Sequence, residues 1–98
     1  MLPHPTHRTP EYVHWCRFDS ELVVLDMKDG AYFGFSEVAA AAFERLAKGS
    51  PTSEVVADLL TVYDVDRARL ESDIDALLDT LLRSGLLVAS DGDAAKEP

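Results

Sequence analysis

The stretch Glu21-Leu22-Val23-Val24-Leu25-Asp26-Met27-Lys28-Asp29-Gly30-Ala31-Tyr32-Phe33-Gly34-Phe35 decides the fold. Asp-Gly between two runs of β-forming residues signals a hairpin, because a two-residue type I′ turn needs positive φ at both central positions. With Asp29-Gly30 at the turn, Lys28 faces Ala31, Met27 faces Tyr32 and Asp26 faces Phe33. The strands so joined run over 21–27 and 31–35. Upstream, Tyr12-Val13-His14-Trp15-Cys16-Arg17-Phe18 is again rich in strand formers, and Asp19-Ser20 makes the turn between. The first half of the chain therefore reads as a three-stranded antiparallel meander.

Downstream the apolar spacing changes to the helical period. Ser36 is a good N-cap, and Glu37 suits the positive end of a helix dipole. That helix carries Val38, Ala42, Phe43 and Leu46 and stops at Gly49. Thr52 is placed to cap a second helix with Val55, Val56, Leu59, Leu60 and Tyr63 on one face. Asp66 is placed to cap a third, with Leu70, Ile74, Leu77, Leu78, Leu81 and Leu82 as its stripe and Gly85 at its end. Leu86-Leu87-Val88 then packs back as a short extended cap. The fold class is α+β and winged-helix-like: a three-stranded antiparallel meander followed by three helices.

The chain is 98 residues long, which is one small domain. Residues 1–10 hold prolines and histidines without periodicity and are expected to be a flexible N-terminal arm. Residues 11–88 form the folded unit. Residues 89–98 hold no large apolar side chain and are expected to be a disordered C-terminal tail. No apolar run approaches the ~20 residues of a membrane span. The beginning of the chain has no basic segment followed by an apolar one, so a cytoplasmic location is expected.

Charge narrows the partners. Eighteen acidic residues against nine basic ones give a net charge of −9. Phosphate binding depends on Lys and Arg releasing counterions, so neither nucleic acid nor an anionic membrane is an expected partner. The third helix, the reading helix of a winged-helix DNA binder, carries Glu71, Asp73, Asp75 and Asp79. Fold alone does not fix function.

Chemistry is equally sparse. The one cysteine, Cys16, excludes an internal disulfide and a multi-cysteine metal site. His14 and Cys16 share a strand face, but nothing downstream supplies an oxyanion hole or an orienting third group. His4 and His7 have one-turn spacing, but the surrounding prolines forbid a helix. Asp26, Asp29, Asp64 and Asp66 lack the glycine and bidentate glutamate of a calcium loop. The five glycines are isolated, so no phosphate loop is formed. No catalytic residue, metal site or cofactor is expected.

What remains is interaction. If Ala31–Phe35 lies at the sheet edge, its unpaired backbone can accept another strand. An amphipathic helix beside that edge would complete a groove with backbone donors on one wall and apolar side chains on the other, which suits an extended peptide. The backbone of Ala31, Tyr32, Phe33 and Gly34 would pair with the ligand. Leu70, Ile74 and Leu77 would receive its apolar side chains. Lys28, Arg69 and Asp73 are placed to meet polar or charged ones. The competing reading is that these aromatic and leucine positions are simply core.

Val24-Leu25-Asp26-Met27-Lys28-Asp29-Gly30-Ala31-Tyr32-Phe33-Gly34-Phe35-Ser36 resembles the hairpin-to-helix segment of PqqD-like proteins, with its Leu-Asp run, turn glycine, strand tyrosine and polar helix cap. Tyr63-Asp64-Val65-Asp66, with Leu70 and Asp73, is similar to the start of that family's third helix. Leu81-Leu82-Arg83-Ser84-Gly85-Leu86-Leu87 is similar to its end. The family often has proline after the capping aspartate, where this chain has Arg67; that touches only the first helical position. The resemblance covers residues 12–88.

It implies a recognition element for ribosomally made, post-translationally modified peptides. Such domains bind the leader segment of a precursor as an added strand, against the third strand and third helix, and bring it to processing enzymes. A free-standing domain of this length looks most like the leader-binding half of a split lasso-peptide B protein. Its partners would be a leader peptidase and a macrolactam-forming cyclase. A peptide chaperone for a radical enzyme of quinone cofactor biosynthesis is the alternative the family offers. Two unrelated readings make distinct predictions: a DNA binder gives a gel shift at low salt, and a thiol enzyme loses turnover when Cys16 is alkylated.

Overall fold

The computed structural model describes residues 6–19 and 21–90; the expected arm's first five residues and tail positions 91–98 lie outside the described residues. In chain order the elements are β1 (His7–Arg8), β2 (Val13–Phe18), β3 (Glu21–Asp26), β4 (Ala31–Ser36), α1 (Glu37–Ala47), α2 (Thr52–Val62), α3 (Arg67–Arg83) and β5 (Val88–Ala89). β2, β3 and β4 form an antiparallel sheet in that order, so β2 and β4 are its edges. The fold is the α+β meander followed by three helices.

The hairpin register differs from the sequence expectation. Asp26 pairs with Ala31, Leu25 with Tyr32 and Val24 with Phe33, so the turn holds four residues rather than two. Local side chains explain the longer turn. The Asp26 carboxylate accepts the Lys28 N–H (2.9 Å), and the Asp29 carboxylate accepts the Ala31 N–H (3.1 Å). These are Asx turns, which replace the closing pair of a two-residue loop. Gly30 donates its N–H to the Asp26 carbonyl at 2.8 Å and takes φ +79°, the left-handed conformation glycine adopts without strain. The slip is two residues, so every side chain keeps its expected face.

Leu22, Val24 and Asp26 of β3 are buried, which fixes the sheet's inner face. Val13, Trp15, Phe33 and Phe35 share that face by register and pack on the core. α1 fits beneath them because Ala40, Ala41 and Ala42 let it be buried on several sides, with Phe43 and Leu46 as its large buried side chains. Trp15 meets Phe43 edge-on at 5.7 Å, and Phe35 stacks on it at 6.0 Å. α2 adds Val55, Val56 and Leu59, and α3 adds Leu70, Ile74 and Leu81. Leu82, expected in the α3 stripe, is 40% exposed.

Caps follow the sequence in part. Asp66 accepts the Arg69 N–H at 3.0 Å, as a cap at that position should. Thr52 is the first helical residue of α2 rather than its cap; Pro51 holds the cap position with no side-chain bond. β4 passes into α1 without a loop, and Glu37 takes φ +53° at the junction.

His7–Arg8, assigned to the flexible arm by sequence, forms a strand paired with β5, whose Ala89 was assigned to the disordered tail. The physical reason lies at the other end of the domain. Leu86 and Leu87 are each 1% exposed, and their burial turns Val88–Ala89 into an open edge beside the N-terminal segment. The prolines that forbid a helix leave an extended strand open. His7 pairs with Ala89, and Ser90 donates its N–H to the Thr6 carbonyl at 2.9 Å.

Candidate functional site

The sheet has two free edges, and hydrogen-bond parity defines what each offers. Met27 donates its N–H to the Tyr12 carbonyl at 2.7 Å, which continues the β2–β3 register by one pair. Hydrogen-bonded and non-bonded pairs alternate along an antiparallel ladder. Leu25 and Val23 therefore direct their backbone groups toward β2, and Asp26, Val24 and Leu22 direct theirs toward β4. Their partners Ala31, Phe33 and Phe35 point back at β3. The groups left facing outward from β4 are those of Tyr32, Gly34 and, at its end, Ser36. Of the four residues expected to pair with an added strand, Tyr32 and Gly34 are the two whose backbone faces outward.

A hollow of about 490 Å³ lies at the far end of this edge. Val38 of α1, two residues beyond the end of β4, forms one wall. Val65, Asp66, Arg69, Leu70 and Asp73 form the other. Its apolar lining is Val38, Val65 and Leu70, of which Leu70 is buried and Val65 is exposed. Its rim is charged, and Arg69 and Asp73 there form an i,i+4 ion pair at 3.6 Å. With 80% and 63% of their side chains exposed, the pair is solvated and free to exchange partners. The combination suits an apolar side chain anchored below and polar groups held at the mouth.

The structure brings Arg69, Leu70 and Asp73 together in this hollow. Ile74 is 2% exposed and belongs to the core, while Leu77 is half-buried against it. Phe33 is half-buried on the inner face; Tyr32 is 74% exposed on the outer one. Lys28 sits at the hairpin end, its ammonium 5.1 Å from the Tyr12 ring centroid. The length of β4, about 17 Å at strand rise, separates it from the hollow. Val38, expected as an apolar position of the first helix, and Val65 were not among the expected site residues. The available signals were an apolar residue just past the edge strand and an exposed valine between Asp64 and Asp66.

The remaining candidates stay apart from this site. His14 and Cys16 are exposed on the outer face, beside a shallow hollow of about 250 Å³ with Phe18, Val23 and Leu25. Among the described residues, no group of His, Cys, Asp and Glu could hold a metal ion. Each arginine of α3 is paired with an acid one turn away: Arg67 with Glu71, Arg69 with Asp73, Arg83 with Asp79. α3 therefore offers no unpaired basic stripe to a phosphate backbone. A strong charge contact lies elsewhere, where Arg17 of β2 grips Glu44 of α1 through two bonds of 3.0 and 2.8 Å. That hydrogen bonding holds the Glu44 carboxyl below its ordinary value and the Arg17 guanidinium above its own. No helix among the described residues is long and apolar enough to cross a membrane.

The family model for coenzyme PQQ synthesis protein D, PqqD, matches residues 21–87, from the start of β3 to the close of the core after α3. The chain belongs to the PqqD family. Among solved structures, this PqqD-family chain is similar to TbiB1 in complex with the TbiA(beta) leader peptide. That likeness has a TM-score of 0.75 and 30% identity, over 82% of this chain and 93% of that one. It is also similar to a lasso peptide synthetase B1 complexed with its leader peptide, with a TM-score of 0.75 and 29% identity, over 84% and 96%. None of the curated proteins matches the chain. The match begins where the hairpin begins, so the elements that carry the likeness are those that build the β4 edge and the hollow.

Proposed function

We propose that this PqqD-family chain binds the leader segment of a ribosomally made precursor peptide as an added strand on β4, with leader side chains seated in the hollow against α3. The observation that carries the reading is the juxtaposition of an open strand edge with an apolar-lined hollow at its end. Backbone bonds to Tyr32 and Gly34 give affinity without sequence preference, and the hollow adds side-chain selection. The likeness to two leader-peptide complexes supports the same occupant.

The chain acts by recognition rather than catalysis, and hands the bound precursor to a leader peptidase and a macrolactam-forming cyclase. The family match favours one second reading, delivery of a precursor to a radical enzyme of quinone cofactor biosynthesis. The groove serves both readings alike. The test is titration of the isotope-labelled protein with a synthetic leader peptide from the precursor gene adjacent to its own, with amide shifts followed residue by residue. Shifts are expected at Tyr32, Gly34 and residues 65–73. Shifts confined to β2 or to β1, with β4 and α3 silent, would overturn the groove.

A further inference from the structure

Gly34 occupies the middle of an edge strand, where glycine is a poor choice: it adds backbone entropy to the unfolded chain and no side chain to the sheet. Strand glycines have a short set of structural reasons. One is a bulge, but the β3–β4 register runs unbroken from Glu21 with Ser36 to Asp26 with Ala31. A second is a left-handed backbone, but the positive-φ glycines are Gly30, Gly49 and Gly85. A third is close approach of another part of the chain, but a Cβ built on Gly34 meets no atom within 4 Å. None of these holds, and the reason that remains is the approach of a ligand.

We propose that Gly34 is a specificity notch, where a large apolar side chain of the bound strand crosses β4. This rests on the leader-binding reading above and names what the leader must carry. Gly34 faces its backbone outward, so an added strand places one residue directly opposite it, on the same face of the sheet. With no Cβ in the way, that side chain lies across Gly34 toward Val23, the partner of Gly34 on β3. Crossing one strand spacing of about 4.8 Å requires an aromatic, leucine or methionine side chain rather than a small one. The walls agree in chemistry. Tyr32, one step along the same face, is 74% exposed, and Val23 and Leu25 are half-buried behind it. Around Gly34 on this face, Tyr32, Val23 and Leu25 carry no charge and Glu21, on the other side of Val23, is acidic, so the notch favours an apolar occupant over an anionic one.

The experiment selects a display library of random 16-residue peptides in parallel on the wild-type chain and on Gly34→Val. Valine favours the strand and has open space, so its melting temperature should match or exceed that of the wild type. Peptides selected on the wild type should share a large apolar residue at one fixed position. Their affinity for Gly34→Val should fall tenfold or more, and peptides selected on that variant should carry Gly, Ala or Ser there. A folded Gly34→Val that selects the same peptides with the same affinity overturns the notch and leaves leader binding standing. A wild type that selects no peptide at all overturns the leader-binding reading, and the notch with it. If Gly34→Val melts lower than the wild type, Gly34→Ala carries the same comparison, since its one added carbon meets nothing.

Discussion

Asp26 shows how one residue sets the register on which the edge depends. It is 3% exposed, and its carboxylate accepts the Lys28 N–H while its carbonyl accepts that of Gly30. Both bonds turn the chain after Asp26 rather than after Lys28. Asp26→Ala leaves the Lys28 amide without its partner and opens a small void beneath the turn, a cost of about 1–3 kcal/mol. Asp26→Asn keeps an acceptor at the same place and should lose less. Urea unfolding of the three proteins checks the order, and equal stability of Asp26→Ala and wild type would remove the carboxylate from any role in the turn.

At the scale of the element, β4 separates what its residues do for the fold from what they offer outward. Phe33 points its N–H at β3, and Gly34 points its N–H away. Phe33→Pro should therefore break the ladder and destabilise the domain by about 3 kcal/mol or more. Gly34→Pro removes a donor that the sheet does not use, a position where edge strands accept proline. It should keep most of the stability and lose leader binding. Thermal melts paired with leader titration separate the two variants; a Phe33→Pro protein as stable as wild type would contradict the parity. From sequence, the strand was legible as a strand, because β-forming residues and the Asp-Gly signal set it, and its place at the edge was a condition of the groove rather than a reading. Which of its amides face outward was not legible, because that depends on hydrogen-bond parity across the whole sheet. The hollow was legible in Leu70 and Asp73, whose spacing puts them on one helix face. Val38 was not, because it joins α3 only through the tertiary fold. His7–Arg8 was read as unstructured because its partner, β5, is about eighty residues away and is itself too short to show a period.

The whole molecule is a sheet laid on a helical layer, and its peptide edge and hollow keep their relation only while the two layers stay in register. Trp15 and Phe35 pack on Phe43 across that boundary. Arg17 and Glu44 add a directional clamp from β2 to α1, with two bonds in fork geometry. The clamp carries a pH signature. Hydrogen bonding from Arg17 lowers the Glu44 pKa in the folded state, so the unfolded chain takes up that proton first as pH falls. The stabilisation is therefore complete above the unfolded glutamate value, about 4.3, and is lost as pH drops through the lower folded value. Arg17, raised from an already high value, stays charged throughout this range. Glu44→Gln should be modestly less stable than wild type at pH 7, and the gap should close on acidification below about pH 4.3. Added salt should narrow the gap at neutral pH as well, since the pair is partly exposed. Urea midpoints for both proteins between pH 7 and pH 3 measure it. A gap that stays constant across that range would mean the glutamine loses packing alone, and that the layers are held without help from this charge pair.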